Sequence, residues 1–265
     1  MLAGRNGSGL DKHKKTGNPV GYSLRLCEKQ EELAACVRIQ KEIWGYSESE
    51  LYPLRLFVNL SRIGGHVLGA FTTDGEQVGF VASMPAWHGR HRYFHSLSLG
   101  VVHAHENRGL GRALKLAQRD LALRAGIDSI EWSFDPLRAK NANLNINRLG
   151  ALVRRYEPDY YGHVESQFQQ GLPSDRLIAE WRLGSLRVRR ALVSKPVRNT
   201  RRKPARVVEI PIDIDALIRA NIAEARAWQE RVRNLLQQDF KDKLAITGFT
   251  HDEKSAHYLL DAYEN

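Results

Sequence analysis

The 265-residue chain is poor in cysteine, with only Cys27 and Cys36, and no Cys-x-x-Cys pair occurs. That argues against a disulfide framework or a cysteine-based metal knuckle and fits a reducing, cytoplasmic compartment. No apolar run approaches the roughly 18–20 residues of a membrane span, so no membrane partner is expected. The N-terminus is charged and lacks an apolar core, which excludes a secretory signal. Residues 1–20, rich in glycine, lysine and asparagine, read as a flexible tail. The phosphate loop GxxxxGK followed by Ser or Thr is missing, and so is the three-glycine dinucleotide fingerprint. Acidic residues are outnumbered, 30 against 40 Lys and Arg, for a net charge of +10. Residues 182–206 hold ten basic residues and no acid, an excess equal to that of the whole chain. Such a balance favours anionic partners. What remains is ordinary for a soluble globular protein: 42% hydrophobic and 26% charged residues.

Periodicity predicts strands at 22–27, 66–73, 77–85, 91–103, 128–136 and 151–162. Amphipathic helices are predicted at 29–44, 109–125 and 138–149, with a short one from Pro53 to Gly64-Gly65. Asp74-Gly75 marks a hairpin turn. Early hairpins and later β-α-β crossovers imply an α/β (α+β) fold with a mixed, mostly antiparallel sheet flanked by helices. Further on, 177–185 and 206–213 read as strands, 215–240 as one long helix, and 243–250 with 254–263 as a closing hairpin. Three regions are expected: the tail, a main domain at 21–165, and an extension at 166–265 that packs on or extends the sheet. The long helix could pack in its own lobe or across a homodimer.

The most informative stretch is HENRGLGRALKLAQRD, residues 105–120. Gly109 and Gly111 stand between a strand and a helix, flanked by Arg108 and Arg112. Bare backbone and the positive end of a helix suit a phosphate. Tight strand-to-helix turns also use glycine for packing alone, and spacing does not separate the two.

Residues 99–126, LGVVHAHENRGLGRALKLAQRDLALRAG, resemble the pyrophosphate-binding motif of the GNAT superfamily of N-acyltransferases, Gln/Arg-x-x-Gly-x-Gly/Ala. LGA at 149–151 and the element order from 22 to 162 are similar too. WSFDPLRAKNANLNINRLGA, YEPDYYG and LPSDRLIAEWRLGS resemble a bacterial subgroup of predicted GNAT acyltransferases with a long C-terminal extension. The resemblance implies that acetyl-CoA or another acyl-CoA binds as co-substrate. Its pyrophosphate would rest on the backbone N–H groups of Arg108, Gly109, Leu110, Gly111, Arg112 and Ala113. Its pantetheine would lie along a strand that splays from its neighbour, at Leu99, Val101 and Val102, where a backbone N–H would polarise the thioester carbonyl. An amine then attacks directly, in a ternary complex. Two positions depart from the family: Glu106 stands where Gln or Arg is usual, and Ile146 where a tyrosine often protonates the leaving thiolate. An acid must then come from elsewhere, with Tyr156, Tyr160, Tyr161 and water as candidates.

Further candidates carry alternative readings. His95, on the presumed central strand, suits a general base but also a hydrogen-bonded core. Glu131 and Asp135 share a strand face and could hold the amine or relay its proton; Asp135 could instead cap the next helix. Asn141 and Asn145, four apart on a helix, could bind pantetheine or substrate, or mark a frayed surface. Five of the ten histidines fall within 87–105, yet no carboxylate or cysteine joins them at ligand spacing, so no metal is expected. Arg176 could bind a substrate carboxylate or form a salt bridge. The basic segment 182–206 reads as a solvated loop lacking aromatics for base stacking, so nucleic acid is not the expected partner. The expectation is an N-acyltransferase moving an acetyl or succinyl-like group to a small amine such as an amino acid. The alternative is a non-catalytic or macromolecule-directed protein that docks RNA or an acidic protein through 182–206.

Overall fold

The computed structural model describes residues 19–162, 170–193 and 203–263. The expected tail, the proposed boundary at 165 and the stretch 194–202 of the basic segment lie outside these residues, apart from Pro19 and Val20. Strands β1 (Tyr22–Leu26), β2 (His66–Thr72), β3 (Gln77–His88) and β4 (His91–Val101) form an antiparallel meander. Helices α1 (Gln30–Trp44) and α2 (Leu54–Arg62) come between β1 and β2. Helix α3 (Leu110–Arg124) crosses over to β5 (Ser129–Phe134), which lies parallel to β4.

Helix α4 (Ala139–Ala142) continues as a π-helical turn over Asn143–Arg148 and leads to β6 (Leu152–Glu157). Strand β7 (Arg176–Arg182) inserts between β5 and β6, antiparallel to both. Helix α5 (Leu186–Val193) follows, then β8 (Arg206–Pro211), α6 (Ile214–Ala220), α7 (Ile222–Lys241), β9 (Leu244–His251) and β10 (Ser255–Ala262). All ten strands share one sheet, in the order β1-β2-β3-β4-β5-β7-β6-β9-β10-β8. A single rung, Val153 opposite Ile246, joins its two parts. β4 with β5 is the one parallel pairing among the described strands, so the mixed, mostly antiparallel sheet is as expected.

Amphipathic patterning explains how these elements pack. In α1, Leu33, Cys36, Ile39 and Ile43 recur at helical spacing and are buried. The Glu32 carboxylate takes N–H groups from Glu28 and Lys29 and pairs with Arg25 at 2.7 Å. The Arg25 hydrogen bond, ahead of the backbone ones, holds the Glu32 pKa at about 2. Both cysteines are free and buried.

Three expectations change. The helix 138–149 is α-helical only to Ala142. The helix 215–240 is two helices: Asn221 is extended (φ −157°, ψ 90°), and its side chain caps α7 by accepting the Glu224 N–H at 3.2 Å. Part of the basic segment is helical, as α5, and Arg187 turns inward to donate to the carbonyls of Gly150, Ala151 and Thr247 at 3.0, 3.2 and 2.7 Å. That buried guanidinium fastens α5 to the sheet rather than meeting a partner.

Candidate functional site

The sheet opens beside β4. Its ladder to β5 has two rungs, Phe94 opposite Ile130 and His95 opposite Glu131. Beyond them β4 keeps pairing with β3 but not with β5. An extra residue, Leu97, lies between the rungs Ser96–Ser83 and Ser98–Ala82, a bulge that reorients the strand where the gap begins. Val102 gives its N–H to Val78 at 3.0 Å. By alternation Gly100 also faces β3, while Leu99 and Val101 direct N–H and C=O groups into the gap. An unpaired strand edge inside a molecule requires another hydrogen-bonding chain or water.

At the mouth of this gap α3 begins without a side-chain cap. Gly109 has φ 81° and ψ 2°, a left-handed conformation that glycine adopts readily, and its carbonyl accepts the Ala113 N–H at 3.0 Å. The N–H groups of Leu110, Gly111 and Arg112 lie ahead of that first intrahelical bond. A Cβ on Gly111 would stand 3.6 Å from Leu99 and 4.0 Å from Leu144, so this glycine lies between β4 and the π-helical turn.

The side chains around the mouth divide their work. Arg108 is exposed and donates to the Tyr22 hydroxyl at 3.1 Å and the Ala104 carbonyl at 3.2 Å. Arg112 is tethered instead, to the carbonyls of Arg148 (3.4 Å) and Leu192 (3.2 Å), and burial lowers its pKa. Glu106 pairs with Lys140 on α4, and also with His103 at 3.2 Å, so its charge is offset. Asn141 is exposed whereas Asn145 is buried; the wider π-helical turn between them breaks the i, i+4 alignment that the sequence suggested. Ile146 is buried in the core, with no polar group to offer.

His95 and Glu131 stand side by side on the last rung before the strands part. The Glu131 carboxylate pairs with Arg155 and with His88 at 3.3 Å. Burial lowers the His95 pKa, against the pull of Glu131, and the cations Lys115 and Arg155 add to the lowering. The imidazole is therefore neutral near pH 7, as a base requires. Asp135 takes the Leu137 N–H at 2.8 Å and pairs with Arg138 at 3.5 Å, a local turn ahead of α4; it does not cap that helix, whose N-cap is Arg138 with no side-chain cap bond. Tyr156 does not reach the gap's chemistry. Its buried hydroxyl donates to Asp175 at 2.6 Å, and burial with that carboxylate raises its pKa.

On the His95 face a group of side chains joins Tyr160, Tyr161 and Arg176, named above, to Ser133, Tyr46 and Tyr52, which sequence reasoning passed over. Ser133 bonds the Tyr161 hydroxyl at 2.8 Å. Tyr160 packs edge-on against Tyr161, with ring centroids 4.7 Å apart, and the Arg176 guanidinium lies 5.1 Å from the Tyr161 ring centre. Tyr46 and Tyr52, from the α1–α2 connection, complete the group. Burial chiefly raises both their pKa values; Arg176 acts electrostatically on Tyr46, and Tyr161 on both. Arg176 has no acidic partner among the described residues. Its neighbour Asp175 pairs with Arg233 instead. Tyr46 and Tyr52 lie far from Tyr160 and Tyr161 in the sequence, and nothing in it marks that they meet.

No family model and no curated protein matches the chain in sequence. Solved structures do. The NatC complex bound to Gag peptide and CoA contains a chain that superposes with a TM-score of 0.50 at 14% identity, over 62% of this chain and 99% of that one. YncA, a putative acetyltransferase from Salmonella typhimurium solved with acetyl-CoA, gives 0.48 at 19% identity, over 62% and 95%. A putative acetyltransferase of the GNAT family from Desulfovibrio desulfuricans gives 0.48 at 14%, over 61% and 99%. The likeness is one of fold alone.

Proposed function

We propose that this chain is an acyl-CoA-dependent N-acyltransferase whose acceptor is a small amine that also carries a carboxylate, such as an amino acid. One observation carries the reading: the β4–β5 ladder stops at His95 and Glu131 and leaves an unpaired edge that runs from the bulge to the uncapped, glycine-lined mouth of α3. An acyl-CoA fits both ends of that feature. Its diphosphate would take the N–H groups of Leu110, Gly111 and Arg112, with Arg108 nearby. Its pantetheine amides would pair with Leu99 and Val101 as a missing strand would.

The thioester then lies at the bulge, with His95 and Glu131 on the acceptor face. His95 takes the proton from the attacking nitrogen, and Glu131, held by Arg155 and His88, orients the amine. Backbone donors in the bulge stabilise the oxyanion. Arg176, without an acidic partner among the described residues, would hold the carboxylate, and Tyr46, Tyr52 and Tyr161 would enclose the rest.

Thiol release from acetyl-CoA and succinyl-CoA tests this against a panel of amino acids, their amides and short peptides. Turnover that requires a free carboxylate on a small acceptor is the expected result. The NatC relative was solved with a peptide, so preference for peptide amines would replace the small-molecule acceptor. No turnover and no CoA binding would favour the non-catalytic alternative.

A further inference from the structure

Forming an amide from a thioester expels a thiolate, and the acceptor face supplies no acid at the right place. Tyr156 is sealed against Asp175, and Tyr160 and Tyr161 lie on the His95 side of the sheet. The opposite face of the same apex holds an unusual group. Lys115 of α3 is 3% exposed. Its Nζ lies 3.0 Å from Ser96 Oγ, 3.0 Å from Gln118 Oε1 and 3.7 Å above the centre of the Trp132 ring.

Ser96 and Trp132 are the first residues of β4 and β5 past their last shared rung. The amine therefore sits under the point where the strands part. Gly111, at the mouth of α3, neighbours Leu99 and Leu144, and α3 also carries Lys115; on the acyl-CoA reading sulfur arrives along this helix. No carboxylate pairs with Lys115 among the described residues. Lys115 itself acts electrostatically on His66 from β2 and on His95 through the sheet, and burial alone shifts Lys115. Burial, then Lys115, brings the His66 pKa down to about 4, so His66 stays neutral.

We infer that Lys115 protonates the departing CoA thiolate, from the side of the sheet opposite the acceptor amine. The inference rests on the acyl-CoA reading above. The acceptor nitrogen bonds to the carbonyl carbon, the C–S bond breaks, His95 takes the proton of that nitrogen, and the Lys115 ammonium gives one to sulfur. Both groups return to their starting state by exchange with solvent. The transfer leaves a neutral amine in an apolar site, the form that burial favours, and burial lowers the Lys115 pKa well below its usual value, which eases release of the proton.

The test is the pH profile of kcat for the wild type and for Lys115→Met, with CoA affinity measured calorimetrically in both. The expected result is unchanged CoA affinity, a kcat lowered about 100-fold, and loss of the alkaline limb that the wild type shows. A kcat within twofold of wild type with that limb intact would overturn the inference while leaving the acyl-CoA reading in place. Failure of the wild type to bind CoA would instead remove the reading itself. If the variant does not fold, an NMR titration of the lysine in the wild type decides: its pKa coincides with the alkaline limb, or the inference falls.

Discussion

Asp175 and Lys115 are both charged side chains sealed inside this protein, and they are held in opposite ways. Asp175 accepts from Tyr156 Oη, from the Asp159 N–H and from two Arg233 nitrogens at 2.6–3.0 Å, so every neighbour favours its charge. The knot ties α7 to β6 and β7, and its effect is stability. Lys115 has two neutral acceptors and a ring face, and no carboxylate pairs with it among the described residues. A cation left so costs stability. It lies where two strands separate, beside the proposed thioester. The contrast separates charge that builds the fold from charge kept for chemistry.

Removing the paired charge gives the largest expected effect. Asp175→Ala strands Arg233 and the Tyr156 hydroxyl and costs about 3–5 kcal/mol in a urea denaturation. An effect below about 1 kcal/mol would place Asp175 with ordinary surface charges. Next is the base across the sheet from Lys115. His95→Gln lowers kcat/KM about 100-fold or more. In the wild type, activity falls as pH drops through the depressed His95 pKa, and the variant lacks that acid limb; a retained limb assigns it elsewhere.

The unpaired lysine has the opposite sign from Asp175. Lys115→Met raises Tm by about 2–4 °C at neutral pH, if relief of the buried cation is worth about 1 kcal/mol. The folded pKa lies below the unfolded one, so the unfolded chain binds more protons between them. Wild-type stability therefore rises with pH across that window, and the variant's advantage fades toward about pH 10.4. A lower Tm would mean that Lys115 packs as structure. The smallest effect belongs to an exposed pair. Lys140→Ala bares Glu106 beside the diphosphate and weakens CoA binding about three- to tenfold, with little change in stability. Unchanged affinity would show that Glu106 does not meet the diphosphate.

Much of this was legible in the sequence, because the strands alternate and the helices end in glycine. Asp74-Gly75 marked its hairpin, and HENRGLG marked the uncapped helix mouth. The break at Asn221 was also written there, since Asn221 followed by Glu224 is a capping pattern inside an otherwise continuous helical period. The π-helical turn was not, because its residues suit an α-helix equally well. Lys115 was not among the residues singled out from the sequence. The clue lay in Gln118, which occupies the row Leu110, Leu114, Gln118, Ala122, where a polar residue needs a buried partner. The tyrosine group joins residues more than a hundred positions apart, and only the fold assembles it.

The central claim is that acyl-CoA occupies the gap between β4 and β5. Gly111→Glu tests it most directly, because the new side chain would project between Leu99 and Leu144 from a position whose Cβ meets only ordinary contacts. Calorimetric titration of CoA into the wild type and this variant should give micromolar binding in the first and none in the second, with both proteins folded. Equal binding by the two would place the cofactor elsewhere and contradict the account.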